Sequence, residues 1–183
     1  MKARGEHWVC SVLAGLGWAV ALTRDGLERT DILASHSING RMIEVQVKAA
    51  SFMRRPNWRV NRKAQQIARS DREWFVFVAL AEDPWGRSSA FVVPRDHVAA
   101  AAWISHQNWL TDPSAPPGRR NAGIEQARVS APTFVGYMNR WDLLEASATD
   151  APVLLPPEFR PLAFEARVGL PPAHPWRQAL PQW

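Results

Sequence analysis

The chain has 183 residues, 46% of them apolar, enough for one domain with a real core, so wholesale disorder is excluded. Twenty-two Lys and Arg against 17 Asp and Glu leave a net charge of +5, which suits a polyanionic partner and says nothing about fold. A single cysteine, Cys10, excludes a disulfide framework and a cysteine-built zinc site. No run of about 18 apolar residues is long enough to cross a bilayer. Glu6 and His7 interrupt any signal-like stretch, so the expectation is a cytoplasmic protein with no membrane partner. Nineteen of the 22 basic residues are Arg. A skew that large reflects genome composition, so each lysine carries more information than each arginine.

The predicted elements follow in chain order, with no internal repeat. Residues 5–16 read as a helix, because Val9, Val12, Leu13 and Leu16 form one apolar stripe that ends at Gly15 and Gly17. Trp18–Thr23 and Thr30–Ser35 are strand candidates on either side of an Asp25-Gly26 turn signal. Ser37–Gly40 ends in Asn-Gly, a strong hairpin signal. Arg41–Ala49 is the clearest strand: Ile43, Val45, Val47 and Ala49 alternate with Met42, Glu44, Gln46 and Lys48. One face is apolar and predicted to pack against the first helix. The other carries Glu44, Gln46 and Lys48 in a row.

Residues 51–72 are polar and basic, and Glu73–Ala81 is a continuous apolar run suited to a strand buried on both faces. A turn at Asp83–Gly86 leads to a strand over Ser88–Val93 and a helix from about Asp96 to Trp109, with Pro94 near its start. Residues 111–123 read as a loop and Tyr137–Ala146 as a short helix. Eight of the 15 prolines lie after Asp150. That segment reads as an extended tail anchored by Leu154, Leu155, Phe159, Leu162, Phe164, Leu170, Trp176, Leu180 and Trp183. The expected class is α/β or α+β, a central mixed sheet flanked by helices, with residues 1–146 as the domain and 147–183 as a Pro-rich tail packing on that domain or on a partner.

The chemistry-bearing unit is Glu6, Asp31 and Gln46-Val47-Lys48. An acid at the start of an apolar strand is disfavoured unless it is needed or exposed. Pairing of the two hairpin strands brings Asp31 towards Gln46 and Lys48. Carboxylate and amide oxygens suit Mg²⁺, and a neighbouring lysine can orient a water or stabilise charge growing on a phosphate. A strand reading Ile-Glu-Val-Gln-Val-Lys is also what an ordinary solvated sheet face looks like, and Glu6 alone is what a helix N-terminus attracts.

Gly5-Glu6, Thr30-Asp31-Ile32-Leu33 and Glu44-Val45-Gln46-Val47-Lys48-Ala49, followed by Trp74–Leu80 and Phe91-Val92-Val93-Pro94, resemble the PD-(D/E)XK nuclease superfamily. Asn139–Leu144 resembles the closing helix of its small bacterial members. The similarity is to the Holliday-junction-resolvase-like and type IV restriction-like branches, and it spans residues 3 to about 146. The resemblance implies a restriction-endonuclease-like core, Mg²⁺ or Mn²⁺, and cleavage of DNA by a homodimer. Asp31 matches the first motif acid, Lys48 the motif lysine, and Glu6 the helix acid of resolvase-like branches. Gln46 departs from the usual Asp or Glu, although some active branches use Gln-x-Lys. The implied metal set is Asp31, Gln46, the Val47 carbonyl and Glu6.

Residues 51–72 carry a net +6, while the other 161 residues sum to −1. Arg54, Arg55, Arg59, Arg62 and Lys63 are the expected backbone contacts, with Trp58 either a stacking platform or a core residue. Two rivals stand beside the metal-dependent nuclease. One is a DNA-binding module with the same fold and weak or no catalysis, to which Gln46 points. The other is an accessory subunit, to which the ten tryptophans and the tail point.

Overall fold

Alternation in the third strand dictates the layering. A computed structural model describes residues 1–23, 28–51, 56–83 and 86–183. The Asp25-Gly26 signal, and Pro84-Trp85 of the second turn, lie outside the described residues. Five strands form a mixed sheet in the order β1-β2-β3-β5-β6: β1 (Trp18–Leu22), β2 (Ile32–His36), β3 (Met42–Ser51), β5 (Glu73–Leu80) and β6 (Ser89–Pro94). The first three are an antiparallel meander, β3 and β5 run parallel, and β5 and β6 are antiparallel. The molecule is thus α+β, with the central mixed sheet the sequence predicts.

Helix α1 (Lys2–Gly15) covers the face built from Val45, Val47 and Ala49, burying Val9 and Leu13 completely. Its first turn is fixed by the Arg4 guanidinium, which donates to the Ala81 carbonyl at the end of β5 (2.9 Å). The opposite face is covered by α2 (Arg95–Leu110) and by a two-stranded ribbon of β4 (Asn57–Arg59) and β7 (Arg128–Ser130). Every residue of β5 is buried, as a continuous apolar strand between two layers must be. The Asn-Gly hairpin joins β2 to β3, with Gly40 at φ +68°. No helix among the described residues is long and apolar enough to cross a membrane.

Three expectations are corrected. The segment read as a helix over Tyr137–Ala146 is two 3₁₀ turns, Ala131–Tyr137 and Trp141–Glu145. Asn139 between them sits at φ +55°, which no helix tolerates. It pairs with β6 instead: its N–H donates to the Ala90 carbonyl (2.8 Å) and its Oδ1 accepts from the Ala90 N–H (3.2 Å). The ribbon β4–β7 has no counterpart in the sequence reading, because three-residue strands carry too little periodicity.

The tail is not wholly extended, since α3 (Phe159–Phe164) lies within it. Leu155, Phe159 and Leu170 are buried as expected, whereas Phe164 is 71% exposed and anchors nothing. The tail lies along α2. The Trp103 indole donates to the Val168 carbonyl (3.0 Å), and His174 Nε2 meets the Asp96 carbonyl (2.9 Å). Trp176 packs on His97 and His174, and Trp183 on Trp176.

His97 is held neutral there. The Tyr137 hydroxyl accepts the Leu154 N–H (2.8 Å) and shares a hydrogen bond with His97 Nδ1 (2.7 Å). Burial pushes the imidazole down to about 3 from 6.5, and His174 adds to the shift. A histidine with a depressed folded pKa stabilises the fold above its unfolded value and loses that contribution as pH falls. Stability measured by urea titration is therefore expected to decline progressively from about pH 6.5 towards pH 3, with a shallower slope in His97→Gln. A separate close approach involves Gly5: a Cβ there would lie 2.5 Å from Ala49 Cβ. Gly5→Val is expected to destabilise the protein by about 1–3 kcal/mol in the same titration, through overpacking of α1 on β3.

Candidate active site

Asp31 immediately precedes β2, where it still extends the ladder: its N–H donates to the Val45 carbonyl (2.9 Å) and its carbonyl accepts from Thr23 N–H (2.9 Å). Its side chain takes over where the strand ends. Oδ2 accepts the Val47 N–H (2.8 Å), which locks the carboxylate across the middle of β3. The other oxygen, Oδ1, lies 3.7 Å from the Lys2 ammonium. That ammonium is also 3.5 Å from Glu6 Oε1, one helical turn along α1. The structure thus brings Glu6 and Asp31 to face one cationic point. Both carboxylates are mostly enclosed, with 15% and 14% of their side-chain surface exposed, against 66% for Lys2 at the mouth.

Lys48 is half-buried beside them. Burial lowers its pKa, Asp31 opposes that shift, the Lys2 and Arg95 charges reinforce it, and Glu6 opposes it weakly. The result is an amine less basic than an ordinary lysine, next to two carboxylates.

Gln46 is placed differently. Its Oε1 accepts from Arg95 Nη2 (3.3 Å) and its Nε2 donates to the Glu28 carbonyl (3.4 Å). The amide carbonyl is therefore committed to Arg95 instead of the Glu6–Asp31 point. Val47 contributes its N–H to Asp31. Among the described residues no three His, Cys, Asp or Glu side chains form a group that could hold a metal ion. Two carboxylates are the acidic donors that converge here.

Sequence reasoning missed Arg95, hidden among 19 arginines at the start of α2. It is 1% exposed. Its Nε lies 2.6 Å from Glu73 Oε2, its guanidinium sits 4.6 Å from the centroid of the Phe75 ring, and its Nη2 also donates to the Arg29 carbonyl (2.9 Å). Glu73 in turn accepts from Arg29 Nη2 (2.7 Å) and from the Arg69 N–H (2.7 Å). Burial pushes the Arg95 guanidinium down to about 10, against the pull of Glu73, so it stays charged at neutral pH. Sequence reasoning also missed Lys2. Its position four residues before Glu6 was the available signal.

Of the expected nucleic-acid contacts, Trp58 is corrected. It is 3% exposed, packs on Phe77 and Phe91, and donates its indole N–H to the Val78 carbonyl (3.3 Å), so it offers no face for a base. Arg59 and Arg62 are exposed, with Arg59 Nε on the Glu125 carbonyl (3.1 Å). Lys63 pairs with Glu28. Arg54 and Arg55 lie outside the described residues.

Compared with protein-family models, with curated proteins and with solved structures, the chain matches none.

The chain has only three lysines, so ¹³C-methylated lysine NMR resolves each side chain. Lys48 is expected to titrate below the ordinary lysine range, and Asp31→Asn is expected to lower it further by removing the charge that opposes desolvation. A Lys48 signal titrating at the usual value, unmoved by Asp31→Asn, would contradict this electrostatic arrangement.

Proposed function

We propose that the protein is a metal-dependent nuclease that hydrolyses phosphodiester bonds in DNA, built on a restriction-endonuclease-like core and acting in the cytoplasm as a homodimer. The observation that carries the reading is the pair of enclosed carboxylates, Glu6 and Asp31, turned towards one cation beside Lys48. The antiparallel meander with a parallel strand next to β3 agrees with the resemblance of Asp31, Gln46-Val47-Lys48 and Glu6 to the PD-(D/E)XK pattern.

The donor set suits a hard divalent ion in its chemistry: two carboxylates already accommodate a positive charge, here the Lys2 ammonium. Glu6, Asp31 and the Val47 carbonyl would hold Mg²⁺ or Mn²⁺, with Gln46 joining only by giving up Arg95. Such an ion supplies Lewis acidity and a water of lowered pKa. The protein's own groups do the rest. The Val47 N–H fixes the Asp31 carboxylate so that it needs no reorganisation. Lys48, with its reduced basicity, orients the attacking water and stabilises charge on the phosphate. Arg59 and Arg62, with Arg54, Arg55 and Lys63, track the backbone.

The Gln46–Arg95 hydrogen bond favours a second reading, a DNA-binding module of the same fold with weak or no catalysis. One set of assays separates the two. Plasmid, four-way junction and single-stranded substrates are incubated with Mg²⁺ or Mn²⁺. Cleavage is expected in the wild type, with Lys48→Ala and Asp31→Ala each lowering the rate by about 10²–10⁴-fold, Asp31→Ala also losing thermal stability because the Val47 N–H loses its acceptor. Equal rates in wild type and Lys48→Ala would sink the mechanism. Salt-dependent binding with no cleavage under either ion would establish the binding module.

A further inference from the structure

The β4–β7 ribbon has two unlike faces. Pro56, Trp58, Val60, Ala127 and Val129 point inward and are all buried. Asn57, Arg59, Arg128 and Ser130 alternate with them on the outer face, where both arginines are exposed. Arg59 and Arg128 are direct cross-strand partners. The backbone bonds on either side, Ala131 N–H to the Pro56 carbonyl (2.9 Å) and Val60 N–H to the Ala127 carbonyl (2.9 Å), make theirs a non-hydrogen-bonded row. In such a row opposed side chains stand closest.

Like charges directly opposite each other destabilise a ribbon. The chain has 17 acidic residues, yet no carboxylate among the described residues pairs with either guanidinium. Each is held by a neutral acceptor instead. Arg128 Nη1 donates to Asn57 Oδ1, at the start of β4, and Arg59 Nε to the Glu125 carbonyl, three residues before Arg128. Those acceptors lie at opposite ends of the ribbon, so the two charges are drawn apart along its length. The ribbon also has a definite place beside the carboxylate pair. Lys48, Phe77 and Phe91 are successive partners across β3, β5 and β6, one row on one face of the sheet. Trp58 packs on Phe77 and Phe91 (ring centroids 5.3 and 5.6 Å), so the ribbon stands on the row that Lys48 begins.

We propose that the outer face of this ribbon holds the phosphate backbone of DNA, with Arg59 and Arg128 on separate phosphates and Arg128 a contact that the basic 51–72 segment does not contain. The proposal rests on the proposed function for its class of partner. A small anion engages only one of two charges drawn to opposite ends, whereas a chain of phosphates engages both. The guanidinium fork matches phosphate oxygens. A bilayer is a poorer match, because the outer face carries no apolar side chain to insert among the lipids. Nor does it carry an aromatic ring to stack on a base, so the contact positions the backbone and reads no sequence.

The test measures, by fluorescence anisotropy in EDTA, the binding of a labelled duplex of about 30 base pairs and of its single strand between about 50 and 200 mM NaCl. Arg59→Gln and Arg128→Gln are each expected to weaken binding by about three- to tenfold. Each is also expected to lower the slope of log affinity against log salt by about 0.9 for the duplex or about 0.7 for the single strand, the loss of one phosphate contact. The form of DNA whose slope falls is the one that lies on the ribbon. Arg128→Lys keeps the charge and is expected to keep the slope. Arg160→Gln, on α3, removes the same charge away from the ribbon and is expected to leave the slope at its wild-type value. Wild-type slopes in Arg59→Gln and Arg128→Gln, or a slope lowered as much by Arg160→Gln, would overturn the proposal. So would losses confined to phosphatidylserine vesicles or polyglutamate with DNA binding unmoved. EDTA removes metal-dependent cleavage from the measurement. A protein that binds in this way and never cleaves therefore refutes the nuclease reading alone, and one that cleaves with unmoved slopes refutes the ribbon alone.

Discussion

Four pieces of chain meet at the Arg95 guanidinium. It comes from the first residue of α2, lies over Phe75 of β5, pairs with Glu73 of β5, and donates to Gln46 of β3 and to the backbone of Arg29. Arg29 closes the circuit by donating to Glu73 and to the Ile67 carbonyl. A charge removed from water this completely is tolerable only when its partners are in place, and deleting one partner of such a pair typically costs about 3–5 kcal/mol. Cooperative assembly follows from that asymmetry. The sheet, the helix packed on it and the segment that delivers Asp31 are stabilised together or not at all. The position of Asp31 is inherited from this circuit, since only Thr30 separates it from Arg29.

The parts that could be read from the sequence are those in which one physical preference dominates. Alternation in β3 allows only one register against α1, because a one-residue slip would turn Glu44, Gln46 and Lys48 onto the apolar stripe of that helix. An uninterrupted apolar run over Glu73–Leu80 has no solvent face to offer, and the Asn-Gly pair specifies its hairpin. Asp31 is legible because an acid at the head of an apolar strand conflicts with its surroundings, and Lys48 and Glu6 are legible through the resemblance that sets them beside it. What stayed hidden depends on tertiary contacts. Asn139 looks helical until β6 claims its amide and side chain. Trp58 is a plausible stacking residue until the ribbon turns it onto Phe77 and Phe91. The direction of the Gln46 amide depends on Arg95, 49 residues away, and no pattern within β3 encodes it.

The prolines acquire a structural meaning in the same way. A segment with so few backbone donors cannot build a sheet or a long helix, so it adheres through side chains and isolated carbonyls. Val168 and Pro156 supply acceptors to Trp103 and Trp183, and His174 reaches the Asp96 carbonyl. Rigid φ angles reduce the entropy lost when such a segment docks. The tail is therefore a wall of the domain, and it completes a cavity that Trp103 begins.

Lys2 has a consequence of its own. It is a counter-ion carried on the same chain as the two carboxylates it faces. Two like charges enclosed together repel, and a tethered ammonium relieves that repulsion without an ion being recruited from solution. Any free cation that reaches Glu6 and Asp31 competes with a resident whose local concentration is set by a side chain, not by the medium. A monovalent ion offers no more charge than Lys2 does. On the proposed metal-dependent reading, a divalent ion, with twice that charge, would displace the ammonium towards the solvent at the mouth. The arrangement is a threshold for ionic charge, set by one residue and independent of how the rest of the pocket is shaped.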